Sequence, residues 1–517
     1  MKNSPKYILT LVVCALLSWR AVAAESGDWL GLLPRPVSVE MLGGEYRYTP
    51  SARVVCDKSL RSYVGEDLGG GFGAVEIVLR TNTSLPLPQE GYVLEITPSG
   101  VVVEGVDRAG LLNGFHTLLQ LFPNDVYEGG FERTCLLPCV RIADYPAYHY
   151  RGQHLDVART FSTVEQIKEF IKHLAHHKIN HLHLHLTDDE GWRVEIGSHP
   201  RLAEEGGWRG GDSPIWSVYG AWGERYGGYY TQAELRELVA YADQRGVTIV
   251  PEIDLPGHSL AIGKIYPEVL CPIELDNSRA AGYDKRNVWC VSREENYRLL
   301  EDILGEICAI FPSEYIHIGG DEVDASYWKA CPHCSALYHK EGMSDHHQLQ
   351  EYFMNRLVAI LEHNGKKAAM WNEATDGGRL SHKVRIHGWE GLEECRKVAE
   401  AGYPAVVMPG PYFYFDMRQS KHEDGHNWAG VVTLEKCYSV NLDALGYSAA
   451  AKGSIVGFSG AFWSELYLTH SHKYENYLEY QTFPRICALA EIGWMAQERR
   501  EWESFVERLE VHKGRME

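Results

Sequence analysis

The sequence predicts an α/β fold, a (β/α)8 TIM barrel preceded by a small α+β domain. Three observations predict it. Short apolar strand-like runs alternate with helical patterns from residue 147 onward. Eight such runs occur, near 149–157, 181–187, 247–253, 314–319, 367–371, 383–388, 404–408 and 455–463. Carboxylates, histidine and tryptophan follow the ends of these runs, where a barrel of this kind carries its chemistry. An open doubly wound sheet is the alternative, but the chain has no G-x-G-x-x-G phosphate loop.

Taken in order, residues 1–23 read as a secretory signal peptide. Lys2 and Lys6 precede an apolar run from Tyr7 to Trp19, and Ala21-Val22-Ala23 forms a small-residue cleavage site. The run is too short to span a bilayer. Cys14 follows Leu11-Val12-Val13 rather than a small residue, which argues against a lipid anchor there. The expected location is therefore secreted or periplasmic, with no membrane-spanning segment.

Residues 24–145 read as the α+β domain. Val54-Val55-Cys56, Val75 to Leu79, Tyr92 to Ile96 and Val101 to Gly105 are strand-like, and Leu111, Leu112, Phe115, Leu118 and Leu119 mark a helix. The boundary falls near Ala143-Asp144-Tyr145-Pro146, and 146–517 is assigned to the barrel. Its helices show apolar faces at Val164, Ile167, Phe170, Ile171 and Leu174, at Leu235, Leu238, Val239 and Ala242, and at Leu349, Phe353, Leu357 and Ile360.

The 517 residues carry a formal charge of −20. Loss of Lys2, Lys6 and Arg20 with the leader leaves about −23, which argues against nucleic acid and anionic membrane as partners. Of 12 cysteines, all but Cys14 survive cleavage, an odd number. Cys271 and Cys290 bracket a loop-like segment and suit a disulfide in an oxidising compartment. Cys331-Pro332-His333-Cys334 fits a local disulfide, a pair of thiols or half of a zinc site. Zinc is the weakest of these readings, because no second C-x-x-C stands at metal-site spacing.

The richest segment is Ile316-His317-Ile318-Gly319-Gly320-Asp321-Glu322. On a strand, adjacent side chains point to opposite faces, so two adjacent acids enter one pocket only if glycines turn the backbone. Two close carboxyl groups separate their pKa values, as acid/base chemistry requires. A solvated acidic turn is the plain alternative. The other strand ends argue against it: Asp188-Asp189, Asp254 with His258, Trp371, Trp389, Tyr414 with Asp416, and Trp463 with Glu465. Acids, aromatics and arginine without a metal cage suggest a carbohydrate pocket, in which tryptophan faces pack on sugar C–H faces. A rival is a metal-dependent hydrolase built on His181-x-His183-x-His185. Leu182, Leu184 and Leu186 face the other way, as in a buried strand, and the histidines are read as core residues with no metal.

His317 to Glu322 resembles the catalytic motif of glycoside hydrolase family 20, the β-N-acetylhexosaminidases. The resemblance continues through Arg151-Gly152-x-x-Leu155-Asp156-Val157-Ala158-Arg159, His185 to Arg193, Gly228 to Thr231, Pro251 to His258, Trp463-Ser464-Glu465 and Pro484-Arg485, in order. It implies exo-acting, retaining removal of terminal non-reducing β-linked GlcNAc/GalNAc from a glycan, with no cofactor. The substrate's 2-acetamido oxygen would attack the anomeric carbon and form an oxazolinium intermediate. The resemblance makes Glu322 the general acid/base and Asp321 the residue that holds the acetamido N–H. Tyr414 would bind the acetamido oxygen, and Trp371, Trp389 and Trp463 would enclose the methyl group. Arg151, Asp416 and Glu465 would bind sugar hydroxyls. Asp188 and His258 would tune Glu322, with Asp254 and Asp189 behind them. Asn372-Glu373 departs from the family's usual acidic residue after the tryptophan.

Overall fold

The structure, a computed structural model, describes residues 27–68, 75–129, 131, 133–273 and 287–516. The expected leader and Cys14 lie outside the described residues. The chain divides into two units. One contains the residues up to Tyr145 together with those from Glu501, and the other is Pro146–Arg500.

The first unit is built on a six-stranded sheet of β1 (Ser38–Tyr48), β2 (Arg53–Val55), β3 (Val75–Thr81), β4 (Tyr92–Thr97), β5 (Gly100–Gly105) and β6 (Cys135–Asp144), in the order β1-β6-β4-β5-β3-β2. Along β4 and β5, buried and half-buried residues alternate, the mark of a sheet with one packed face. Helix α1 (Arg108–Gln120) covers that face. It is capped by Asp107, which accepts from the Gly110 N–H at 2.7 Å. The terminal helix Trp502–His512 also belongs to this unit: Ser504 donates to Asp28 at 3.1 Å, and Arg508 donates to the Leu32 carbonyl at 3.1 Å. The assignment of 146–517 to the barrel is corrected at its end, because this helix buries its apolar stripe with the N-terminal unit.

The second unit is a closed barrel of eight parallel strands. They are β7 (Tyr150–Asp156), β8 (His181–His185), β9 (Thr248–Leu255), β10 (Tyr315–Gly319), β11 (Lys367–Trp371), β12 (Arg385–Gly388), β13 (Ala405–Val407) and β14 (Ile455–Phe462), with β14 pairing back to β7. These strands are buried almost throughout, because helices cover the outside and side chains fill the inside. Helices α2 (Val164–His176), α3 (Gln232–Gln244), α4 (Glu294–Ile310), α5 (Pro332–Lys340) and α6 (His347–His363) are among the cover. Two of them start from capping boxes, Thr163 with Gln166 and Thr231 with Glu234, which fix where the loop ends and the helix begins. Ile167, Phe170, Ile171 and Leu174 are buried on α2, as their spacing predicts. Among the described residues no helix is long and apolar enough to cross a membrane.

Candidate active site

The barrel interior sets the floor of the site. Glu252 on β9 lies in register with His185 on β8 and His317 on β10. Its Oε2 lies 2.6 Å from His185 Nδ1 and 2.9 Å from His183 Nε2. Its Oε1 lies 2.9 Å from His317 Nδ1 and accepts the Trp371 indole N–H at 2.8 Å. Burial alone would raise the Glu252 pKa, but the three histidines reverse this and hold it well below the carboxylate range. His183 is pushed down to about 4 by burial. His185 is held well above its ordinary value, against burial, by Glu252 and Asp188. Two of the alternating histidines, His183 and His185, thus turn a nitrogen to a buried carboxylate, while His181 Nδ1 lies 2.7 Å from Asn180 Oδ1.

Above this floor, a chain of contacts rises to the pocket. His185 Nε2 lies 2.7 Å from Asp188 Oδ2, which also receives Arg159 Nη2 at 2.8 Å. Asp188 Oδ1 faces His258 Nδ1 at 3.3 Å. The opposite nitrogen of His258 meets both members of the acidic pair, Asp321 Oδ2 at 3.6 Å and Glu322 Oε2 at 3.4 Å. His258 is buried, which disfavours its cation, yet Asp188, Asp321 and Glu322 hold its pKa well above the ordinary value. His258 is therefore a cation enclosed by carboxylates.

The backbone makes this convergence possible. Gly319 and Gly320 sit at φ of +70° and +105°, and Glu322 itself at +48°. His258 also adopts a positive φ, +45°. Non-glycine residues in this region cost about 1–3 kcal/mol each and cluster at functional sites. At Gly319 the need is steric too, because a Cβ there would lie 1.8 Å from Asp254 Oδ1.

The acidic groups differ in environment. Asp321 is buried and Glu322 is half-exposed. Burial raises Asp321, with His258 opposing. Asp254, buried beside it, is raised well above its ordinary value by burial and by the Asp321 charge. Burial thus favours the protonated form of both acids in this corner, and of Asp254 the more strongly. Glu322 is held below its ordinary value by its hydrogen bond to His258. Glu373 supports the turn: its carboxylate accepts the Glu322 backbone N–H at 3.1 Å and the Trp389 indole N–H at 3.0 Å. Burial pushes Glu373 up to about 8.

These groups open into a pocket of ≈ 450 Å³ lined by Arg159, Asp321, Glu322, Trp389, Tyr414 and Trp463, with His258, Trp428 and Glu465 completing it. Trp389 stacks on Tyr414 at 6.2 Å and 17°, and Trp428 stands edge-on to both. Trp371 lies behind this wall, packed with Tyr414 and Trp463. Asp416 is buried beneath, accepting the Trp463 backbone N–H at 3.3 Å, and burial pushes its pKa up to about 7. Burial acts to raise Glu465 as well, but His426 at 3.4 Å and Arg159 hold it down, so it stays charged.

One expected residue falls elsewhere. Arg151 is the second residue of β7, and the parallel strands open at Asp156, five residues and roughly 16 Å further along. Its guanidinium donates to the carbonyls of Lys178 and Tyr148 at 2.8 and 2.7 Å and lies over the Trp494 ring. The arginine of the pocket is Arg159. Asp156 places it by accepting the Ala158 and Arg159 backbone N–H groups at 2.8 and 3.0 Å, and its guanidinium lies over the Trp463 ring at 4.9 Å. Trp428 and Glu252 were also not picked out by the sequence reading, although strand alternation puts Glu252 on the same face of its strand as Asp254.

A (β/α)8 barrel with an adjacent carboxylate pair and an aromatic pocket at its C-terminal mouth defines a glycoside hydrolase. Comparison with known proteins agrees. The model for glycosyl hydrolase family 20, catalytic domain, matches residues 148–497, and that for glycosyl hydrolase family 20, domain 2, matches residues 30–145. A β-hexosaminidase of Vibrio furnissii is 36% identical over 91% of this chain and 78% of its own length. A β-hexosaminidase of Porphyromonas gingivalis is 31% identical over 97% of this chain and 65% of its own. The crystal structure of a GH20 exo-β-N-acetylglucosaminidase from Vibrio harveyi, in complex with N-acetylglucosamine, has 34% identity. It superposes with a TM-score of 0.86 over 94% of this chain and 77% of that one. The chain belongs to glycosyl hydrolase family 20 and is a β-hexosaminidase of that family.

Proposed function

We propose that this enzyme removes terminal non-reducing β-linked GlcNAc/GalNAc from glycans, exo-acting and with retention, through an oxazolinium intermediate formed by the substrate's own acetamido group. One observation carries the reading. Asp321 and Glu322 both meet the same nitrogen of His258, at 3.6 and 3.4 Å, so they stand on one side of the pocket. An ordinary retaining pair faces the sugar from two sides, about 5–5.5 Å apart, and one member attacks carbon. Glu465, the other acid of the lining, is occupied by His426 and Arg159. A nucleophile supplied by the substrate fits this layout.

In this scheme Asp321, beside the His258 imidazole that favours its charged form, accepts the acetamido N–H and stabilises the positive charge that grows on it. Tyr414 binds the acetamido oxygen, and Trp371, Trp389 and Trp463 form the apolar bay for the methyl group. Glu322 gives a proton to the leaving oxygen and then takes one from the incoming water. A sugar seated over Glu322 removes it from water, which works against the pull of His258 and moves the proton toward the carboxylate. Arg159, Glu465 and Asp416 bind the hydroxyls of a single terminal sugar. The Vibrio harveyi structure, an exo-enzyme with N-acetylglucosamine bound, supports both the exo action and the sugar. Export by the 1–23 leader would bring the enzyme to extracytoplasmic glycans.

Aryl β-glycosides with and without the 2-acetamido group test the reading. Turnover of the N-acetylglucosaminide or N-acetylgalactosaminide with near-inert glucoside and galactoside is the expected result. Comparable turnover of both sets contradicts it.

A further inference from the structure

Four cysteines meet away from the pocket. Cys271, Cys290, Cys331 and Cys334 are all buried, and their sulfurs lie within 4.8 Å of one another. Cys334 Sγ is 3.5 Å from Cys290 Sγ and 3.7 Å from Cys271 Sγ. We propose that these four thiolates bind one structural zinc ion, Cys271 and Cys290 supplying the half-site that no second C-x-x-C provides.

The spacing fits this chemistry. A tetrahedral zinc with Zn–S bonds of about 2.3 Å sets its sulfurs about 3.8 Å apart, whereas a disulfide brings two sulfurs to about 2.05 Å. Two disulfides would divide the cluster into two close pairs, but here Cys334 stands nearly equally far from sulfurs on two other segments. The local structure also suits anions. Cys331 is the N-cap of α5 and Cys334 lies in its first turn, where the positive end of the helix favours thiolate. Ser292 Oγ approaches the sulfurs of Cys290 and Cys334 at 3.3 and 3.6 Å, a hydroxyl placed to donate to thiolate sulfur. A complete set of four sulfur ligands makes a closed structural site and not a catalytic one.

The site joins the segments that hold the acid/base machinery. Cys290 follows Trp289, whose indole N–H donates to Ser259 Oγ at 3.0 Å, beside His258. The Trp289 carbonyl accepts the Trp328 indole N–H at 2.9 Å, from the short helix Ser326–Ala330 that follows the Asp321-Glu322 turn. Asn287, near the same strand of chain, donates to Asp189 Oδ2 at 2.9 Å. A metal at the four sulfurs would tie the loop after β9 to the loop after β10, which carry His258 and Glu322.

The test uses the intact enzyme, purified without chelators. Elemental analysis should find about one zinc per chain, and absorption at the zinc edge should show four sulfurs at about 2.3 Å. A mercurial that titrates the thiols should release that zinc, and the apparent melting temperature should fall and recover when zinc alone is added back after the mercurial is removed by thiol. Cys334→Ser should lose most of the zinc, while Cys56→Ser, in the other unit, should keep it. If Cys334→Ser does not fold, the zinc-edge spectrum of the wild type still decides. Two disulfides among these residues in non-reducing peptide maps overturn the proposal. So does iron in place of zinc, or four free thiols without metal.

Discussion

The Nε2 of His258 lies 3.4 Å from Oε2 of Glu322, so the ring and the carboxylate bias each other's proton. His258 is held well above its ordinary value by the carboxylates around it, and Glu322 is held below its own by His258. The proton thus stays with the pair as pH rises past the carboxylate range, until the raised His258 pKa is reached. His258→Gln leaves Glu322 as the sole holder. The alkaline limb of the kcat/KM profile should therefore lie above pH 6.5 in the wild type. In the variant it should move down by about a unit or more. An unshifted limb would remove His258 from the proton inventory.

The two arginines of the Arg151 to Arg159 motif should behave differently. Arg159→Lys keeps charge but loses the fork that spans Asp188 and the pocket, so kcat/KM should fall by roughly 10–100-fold, the worth of a hydrogen bond to a charged group. Arg151→Lys should lower the melting temperature, since it loses its two carbonyl acceptors and the Trp494 face, with kcat and KM close to wild type. The reverse pattern would return Arg151 to the sugar pocket.

Gly319→Ala should damage the site more than strain alone explains. The added methyl would overlap Asp254 Oδ1 at 1.8 Å, at a φ of +70°. Gly365 has a similar φ, +72°, with open space around it. Gly365→Ala should cost only the backbone strain of about 1–3 kcal/mol and leave kcat unchanged. Gly319→Ala should lower both melting temperature and kcat, the latter at least about tenfold. Equal behaviour of the two variants, read by thermal unfolding and initial rates, would separate Asp254 from the geometry of the acidic turn.

The barrel was legible because most of its eight strands are short apolar runs between helical patterns, as parallel strands buried on both faces tend to be. The acidic turn was legible because glycines before two acids can only mean a change of direction. Arg151 was misplaced because motif membership carries no depth: a residue at the start of a strand and one just past its end share a motif and sit at opposite ends of the barrel. Trp428 lay hidden in a loop without periodicity. The four cysteines could not be assembled from spacing, since Cys271 and Cys290 lie on the connection after β9 and Cys331 and Cys334 on the one after β10, and only the closed barrel brings the two together. The last helix was assigned to the wrong unit because its amphipathic pattern says that it packs, not on what.

The central claim is that the acetamido oxygen is the nucleophile and Asp321 its electrostatic partner. Its most direct measurement is the rate on aryl N-acylglucosaminides whose acyl methyl carries zero, one, two or three fluorines, read for the wild type and for Asp321→Asn. Each fluorine weakens the oxygen as a nucleophile, so log kcat should fall steeply and steadily along the series. Asp321→Asn should lower kcat on the parent substrate by roughly 10²–10³. A flat dependence on fluorine number, together with a sugar ester trapped on Asp321 or Glu322 of the active enzyme, would contradict the mechanism.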